Sequence, residues 1–137
     1  MNLGALLTGK RILITGASSG LGSHFARLAA RHGADVVIAA RRRERLLALA
    51  EELGELGAAR TTVLELDVAD EASVAAAVET LAADGAPLDV LVNNAGVARE
   101  GFALNQPLED FDEAMATNLR GVWLMSTALA RLWKAAG

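Results

Sequence analysis

The 137-residue sequence has no cysteine, no tyrosine, only two prolines, and lysine at Lys10 and Lys134 alone. Without cysteine it can hold no disulfide framework, no iron–sulfur cluster, no cysteine-ligated zinc and no thiol nucleophile. Long apolar runs are also missing. Residues 34–40 and 86–93 are each interrupted by aspartate and fall far short of the ~18–20 residues of a membrane span. Residues 1–10 lack the basic start and apolar core of a secretory signal, so a cytoplasmic location with no membrane partner is expected. A net charge of -4 argues against nucleic acid as a partner.

The remainder is ordinary for a globular domain: 53% hydrophobic, 22% charged, with 13 glycines. A folded chain of this length buries roughly two thirds of its unfolded surface, enough for a core without covalent staples. One domain, residues 1–137, is expected. One cluster stands out against the acidic background, namely Arg41, Arg42, Arg43 and Arg45.

Four short β-rich runs, at residues 11–15, 35–40, 61–67 and 90–93, alternate with stretches of helical spacing. Leu21, Phe25, Leu28 and Ala29 share one helical face, as do Val74, Val78 and Leu81. Asp70 is placed to cap the helix that follows it, and Gly33 to close the first long one. Residues 110–134 carry Phe111, Met115, Leu119, Val122, Leu129 and Leu132 at near-heptad spacing and read as one long helix or two consecutive ones. The order β-α-β-α-β-α-β implies right-handed crossovers and a parallel sheet covered on both faces.

Where the first strand hands over to the first of these helices the chain reads Thr15-Gly16-Ala17-Ser18-Ser19-Gly20-Leu21-Gly22. Glycines there allow a tight turn and close approach of a pyrophosphate, whose charge is met by the free N–H groups and positive dipole of the helix N-terminus. A tight turn with no ligand would also explain the glycines alone. The letters Gly16-Ala17-Ser18-Ser19-Gly20 fit a hydrolase nucleophile elbow as well. That reading needs a histidine base well downstream, whereas the only histidines are His24 and His32 on the adjoining helix.

At the tip of the second strand, where dinucleotide-binding folds approach the adenosine ribose, the chain reads Ala39-Ala40-Arg41-Arg42. An acidic residue there would repel a 2′-phosphate. Ala40 instead leaves space and Arg41 offers a planar, charged fork, so NADP(H) is expected over NAD(H). A solvated helix face accounts for Arg43 and Arg45. It suits Arg41 and Arg42 less, because cations at a helix N-terminus oppose its dipole.

Three further motifs complete a pattern: Asp67-Val68, Asn93-Asn94-Ala95-Gly96, and Asn118-Leu119-Arg120-Gly121. With the glycine turn, in this order, they resemble the N-terminal half of a short-chain dehydrogenase/reductase over essentially the whole chain. The resemblance implies an α/β fold, a Rossmann-like doubly wound parallel sheet, truncated, with strand order 3-2-1-4. It implies a nicotinamide dinucleotide held by Gly16, Ser18, Ser19, Gly20, Leu21 and Gly22 at the phosphates and by Arg41 with Arg42 at the 2′-phosphate. Asp67 would bond the adenine amino group while the Val68 backbone meets the ring, and Asn94, Ala95 and Gly96 would lie near the ribose. Asn118 would be the catalytic asparagine that supports a proton-relay water. On its helical stripe it is expected to face inward and to need partners.

The family's serine and its Tyr-x-x-x-Lys are not in these 137 residues. The resemblance therefore implies roughly the first half of an enzyme interconverting a small carbonyl substrate and an alcohol. The chain alone is expected to bind without catalysing, with a non-catalytic nucleotide-binding module or assembly partner as the alternative. An exposed fourth strand and an uncovered final helix are expected to bring marginal stability, self-association into a homo-oligomer or a need for the missing half. No metal site is expected, and residues 97–106 read as a surface loop or as one wall of a substrate pocket.

Overall fold

The computed structural model describes residues 2–137. In chain order the first elements are α1 (Leu3–Leu7), β1 (Arg11–Thr15), α2 (Gly20–Arg31), β2 (Asp35–Ala40), α3 (Arg43–Leu56) and β3 (Arg60–Glu65). They are followed by α4 (Glu71–Asp84), β4 (Val90–Val92), α5 (Leu108–Met115), a π-helical turn (Ala116–Arg120) and α6 (Gly121–Ala136). The four strands form one parallel sheet in the order β3-β2-β1-β4, as the alternating pattern implies. Register pairs Ile12 with Val36 on one side and with Val90 on the other.

Side-chain alternation along β1 and β2 builds two cores. Ile12, Ile14, Val36 and Ile38 face α2 and α3, the latter presenting Leu46, Leu49 and Leu53. Leu13, Val37 and Ala39 face the other way, against Val74, Ala77 and Leu81 of α4 and Met125 and Leu129 of α6. Asp70 caps α4 by accepting from Ala72 N–H at 3.0 Å. Helix α2 closes at His32, with Gly33 beyond it at φ 70°.

Several elements depart from the periodicity. Helix α2 turns Gly22, Ala26, Ala29 and Ala30 inward and leaves Leu21 and Phe25 exposed. Its small residues face the sheet because the glycine turn brings the helix too close for leucine. Helix α1, capped by Asn2, was not foreseen, since five residues carry no period. The strand expected over 61–67 runs Arg60–Glu65, and that over 90–93 ends at Val92. The last helical region is continuous, with helical dihedrals at Ala116 and Gly121, but the π turn divides it. Consequently its apolar stripe splits: Leu129 is buried, whereas Phe111, Met115 and Leu119 are exposed.

The base of the sheet, opposite the glycine turn, is tied by charge. The buried Arg11 guanidinium donates from Nη1 to Ala86 O at 2.7 Å and lies 2.5 Å from Asp84 Oδ2 through Nη2. That second contact is an ion pair. Arg60 bridges Asp84 at 2.8 Å and Asp35 at 3.1 Å. Asp89 accepts from Arg11 N–H at 2.8 Å and from Lys10 Nζ at 3.0 Å. The Arg60 hydrogen bond, then the nearby Arg11 charge, hold the Asp84 carboxyl below the usual carboxylate range against partial desolvation. Asp89 is held low first by the Arg11 backbone N–H and then by Lys10. No helix among the described residues is long and apolar enough to cross a membrane.

Candidate dinucleotide site

Strands β1 and β4 end side by side, and their loops are stitched together through Thr15. Its hydroxyl accepts from the backbone N–H groups of Asn94 and Ala95, both at 3.0 Å. Asn94 Nδ2 returns bonds to the carbonyls of Thr15 at 3.0 Å and Gly16 at 3.3 Å. This closeness dictates glycine at two positions. A β-carbon on Gly16, itself at φ 64°, would sit 2.7 Å from Ala95 Cα. One on Gly22 would collide with Gly16 O and Asn94 Nδ2. Ala17 N–H donates to Ala39 O at 3.1 Å, which fixes the turn against β2 as well.

The ends of all four strands thereby surround an open groove of about 340 Å³. Its lining includes Gly16, Ser18, Ser19, Leu21, Arg41, Arg42, Asp67, Val68, Asn94, Ala95 and Gly96. Gly20 and Gly22 do not line it. Gly20 opens α2 at φ 55°, and Gly22 is buried behind the turn. Ser19 is the N-cap of α2 but makes no side-chain capping bond. The N–H groups of the first turn have no intrahelical acceptors and form an anion-binding end.

Arg42 Nη2 donates to Ser18 Oγ at 3.1 Å and Ser19 Oγ at 3.4 Å, so Arg42 reaches across from the end of β2 to the turn. Ser18 thus has an arginine as partner, not the histidine that a hydrolase would require. Arg43 and Arg45 are exposed on the first turn of α3. Beyond the end of β3, Asp67 N–H donates to Ser73 Oγ at 2.9 Å and Asp67 Oδ1 accepts from Ala69 N–H at 3.0 Å. Arg41, Arg42 and Asp67 are the charged residues of the lining, two positive and one negative.

Asn118 lies in the π turn and is exposed rather than inward-facing. Its amide nevertheless finds partners, accepting from Val97 N–H and donating to Val97 O, each at 2.8 Å. It does not line the groove; its neighbour Thr117 does, with Val97. Of the loop over 97–106, Val97 alone reaches the lining. Arg99 forks onto Glu113, Gln106 donates to Arg99 O at 3.0 Å, and Phe102 and Leu104 project into solvent. Asn93 donates to Ser126 Oγ at 3.1 Å and ties β4 to α6. Sequence reasoning assigned no site role to Thr15 or Thr117, whereas Val97 begins the segment expected as one wall of a pocket. Thr15 was detectable as the hydroxyl residue heading the glycine turn. Among the described residues no group of three or more histidine and acidic side chains could hold a metal ion.

Comparison with known proteins gives a consistent set. The sequence profile of the family described as short chain dehydrogenase matches residues 10–137. The chain is 46% identical over 123 residues to oxidoreductase UcpA of Salmonella typhimurium, covering 90% of this chain and 46% of that protein. A short chain dehydrogenase from Mycobacterium smegmatis superposes with a TM-score of 0.89 at 34% identity, over 95% of this chain and 54% of that one. An alcohol dehydrogenase from the archaeon Thermococcus sibiricus, solved with 5-hydroxy-NADP, gives 0.82 at 35% identity, over 87% and 51%. The chain thus spans about half the length of the relatives it matches.

Proposed function

The chain belongs to the short-chain dehydrogenase family, and from that premise we propose that it is the cofactor-binding half of an NADP(H)-dependent oxidoreductase interconverting a carbonyl and an alcohol. Residues 1–137 are then the N-terminal part of a single dinucleotide-binding domain. What carries the reading is the groove whose lining joins the glycine turn, Arg41 and Asp67. The groove fits the cofactor chemically. Gly16 and Gly22 keep β-carbons out of the turn, the α2 N-terminus offers N–H donors to a pyrophosphate, and Ala40 leaves room beside Arg41.

When bound, the cofactor supplies or accepts hydride at C4 of the nicotinamide. Gly16, Ser18, Ser19, Gly20, Leu21 and Gly22 form the phosphate turn, and Arg41 with Arg42 holds the 2′-phosphate. Asp67 accepts from the adenine amino group, the Val68 backbone meets the ring, and Asn94, Ala95 and Gly96 line the ribose. Asn118 supports a relay water. Proton transfer to the carbonyl oxygen needs an acid these residues do not include. The chain has no tyrosine, and Lys10 is paired with Asp89 at the opposite end of the sheet. The 137 residues by themselves therefore bind cofactor without turnover. Exposed Phe111, Leu119 and Trp123 support self-association as part of this reading.

The same lack of tyrosine favours a second reading, a nucleotide-binding module without chemistry. A carbonyl-reduction assay at high protein concentration, run beside an NADPH titration, tests both. Saturable binding with no turnover is expected of the isolated chain, turnover would overturn the account of its missing acid, and failure to bind would overturn the cofactor reading. Turnover restored by a segment supplying Ser and Tyr-x-x-x-Lys selects the enzyme over the module.

A further inference from the structure

The π turn is anchored on two flanks. On one, the Asn118 amide holds Val97. On the other, Arg120 Nη1 donates to the Ala69 carbonyl at 3.0 Å, and Nη2 lies 3.2 Å from Glu71 Oε2. The next residue, Gly121, is buried against Val68 so tightly that a β-carbon there would sit 2.8 Å from Val68 Cγ2 and 3.1 Å from Val68 O. The turn that carries Asp67 is therefore buttressed by the final helix.

Ala69 is the joint. Its N–H donates to Asp67 Oδ1 at 3.0 Å, and its carbonyl is held by Arg120. The two bonds lie on adjacent peptide planes joined at the Ala69 Cα, so loosening the carbonyl gives more freedom to the N–H that holds the Asp67 carboxylate. Arg120 lies outside the groove lining, so its effect on a ligand passes through Ala69. The exposed Glu71 partner steadies the guanidinium only weakly.

We propose that Arg120 is a positioning residue for the adenine end of the groove: by holding the Ala69 carbonyl it fixes the carboxylate of Asp67 in the orientation that selects a base bearing an exocyclic amino group. This rests on the cofactor reading above. A carboxylate is acceptor-only when ionised, so it favours the amino group of adenine and disfavours the oxygen that hypoxanthine carries in its place. Base selectivity is thus a readout that a general loss of stability would not move.

The test is calorimetric titration of the 137-residue chain with NADPH and with its hypoxanthine analogue. The wild type should prefer NADPH. Arg120→Met and Arg120→Gln, both tolerable at a half-exposed helical position, should each weaken NADPH about fivefold to tenfold and the analogue by less than about twofold, as expected for the net worth of one lost hydrogen bond. Arg120→Lys, which keeps a donor and the charge, should restore most of the selectivity. Parallel loss for both ligands, or wild-type selectivity in either folded variant, overturns the assignment. Equal affinity of the wild type for the two ligands overturns the role of Asp67 and this inference with it. Binding of neither by the wild type overturns the cofactor reading itself.

Discussion

Asn118 and Val97 are joined at both poles of one residue, the Val97 N–H donating to Asn118 Oδ1 and Asn118 Nδ2 donating to the Val97 carbonyl, each at 2.8 Å. The contact locks the exit of β4 to the π turn, with Gly96 so near that a β-carbon on it would lie 3.3 Å from Asn118 Oδ1. Asn118→Leu removes both bonds and should cost about 1–2 kcal/mol in urea unfolding. Asn118→Asp keeps the acceptor and should cost about half as much. Faster amide exchange at Val97 should accompany both.

At Gly22 the expected effect is steric. A methyl group there meets Gly16 O and Asn94 Nδ2, neither of which is the free end of a flexible chain. Gly22→Ala should destabilise by about 1–3 kcal/mol through forced displacement of the turn. It should also weaken NADPH binding by more than about tenfold if the displaced turn carries the phosphate donors, as proposed. Chemical denaturation and calorimetry on the same sample check the two effects.

Acid should loosen the base of the sheet. Asp84 is held low first by Arg60 and then by Arg11, and Asp89 first by the Arg11 backbone N–H and then by Lys10. A carboxylate whose folded pKa lies below its unfolded value adds stability that is complete above the unfolded value and is lost as pH falls through the folded one. Stability should therefore hold down to about pH 4 and decline below it. In Asp84→Asn the decline should be shallower. Its melting temperature at neutral pH should be lower, since the buried Arg11 loses its nearest carboxylate.

Phe111, Leu119 and Trp123 lie exposed on the last helical region, and Val90 is exposed on the edge strand β4. Sedimentation of the isolated chain should show concentration-dependent association, and Leu119→Glu with Trp123→Glu should shift it toward monomer. A monodisperse wild-type monomer at high concentration would contradict this expectation.

The sheet order was legible because four short β-rich runs alternate with helical stretches, and parallel crossovers then leave few arrangements. The motifs around Gly16, Asp67 and Asn94 were legible as a set, and the structure gathers most of them on one groove. Other features were hidden for physical reasons. The inner face of α2 is set by the close approach of Gly22, so Leu21 and Phe25 misled. The π turn adds a single residue to a helix, too little to disturb a 3.6-residue period that sequence can resolve. Arg11, Asp35, Arg60 and Asp84 form one cluster from four distant places in the chain, which only the fold brings together.

The central claim, that this groove holds the adenosine end of NADP(H) with Arg41 at its 2′-phosphate, is tested most directly by titrating the wild type and Arg41→Ala with NADPH and NADH. The wild type should bind NADPH at least about tenfold more tightly, the worth of a charge-assisted contact to phosphate. Arg41→Ala should erase most of that difference while leaving NADH within about twofold. Tighter binding of NADH by the wild type, or an NADPH affinity indifferent to Arg41→Ala, would contradict the account.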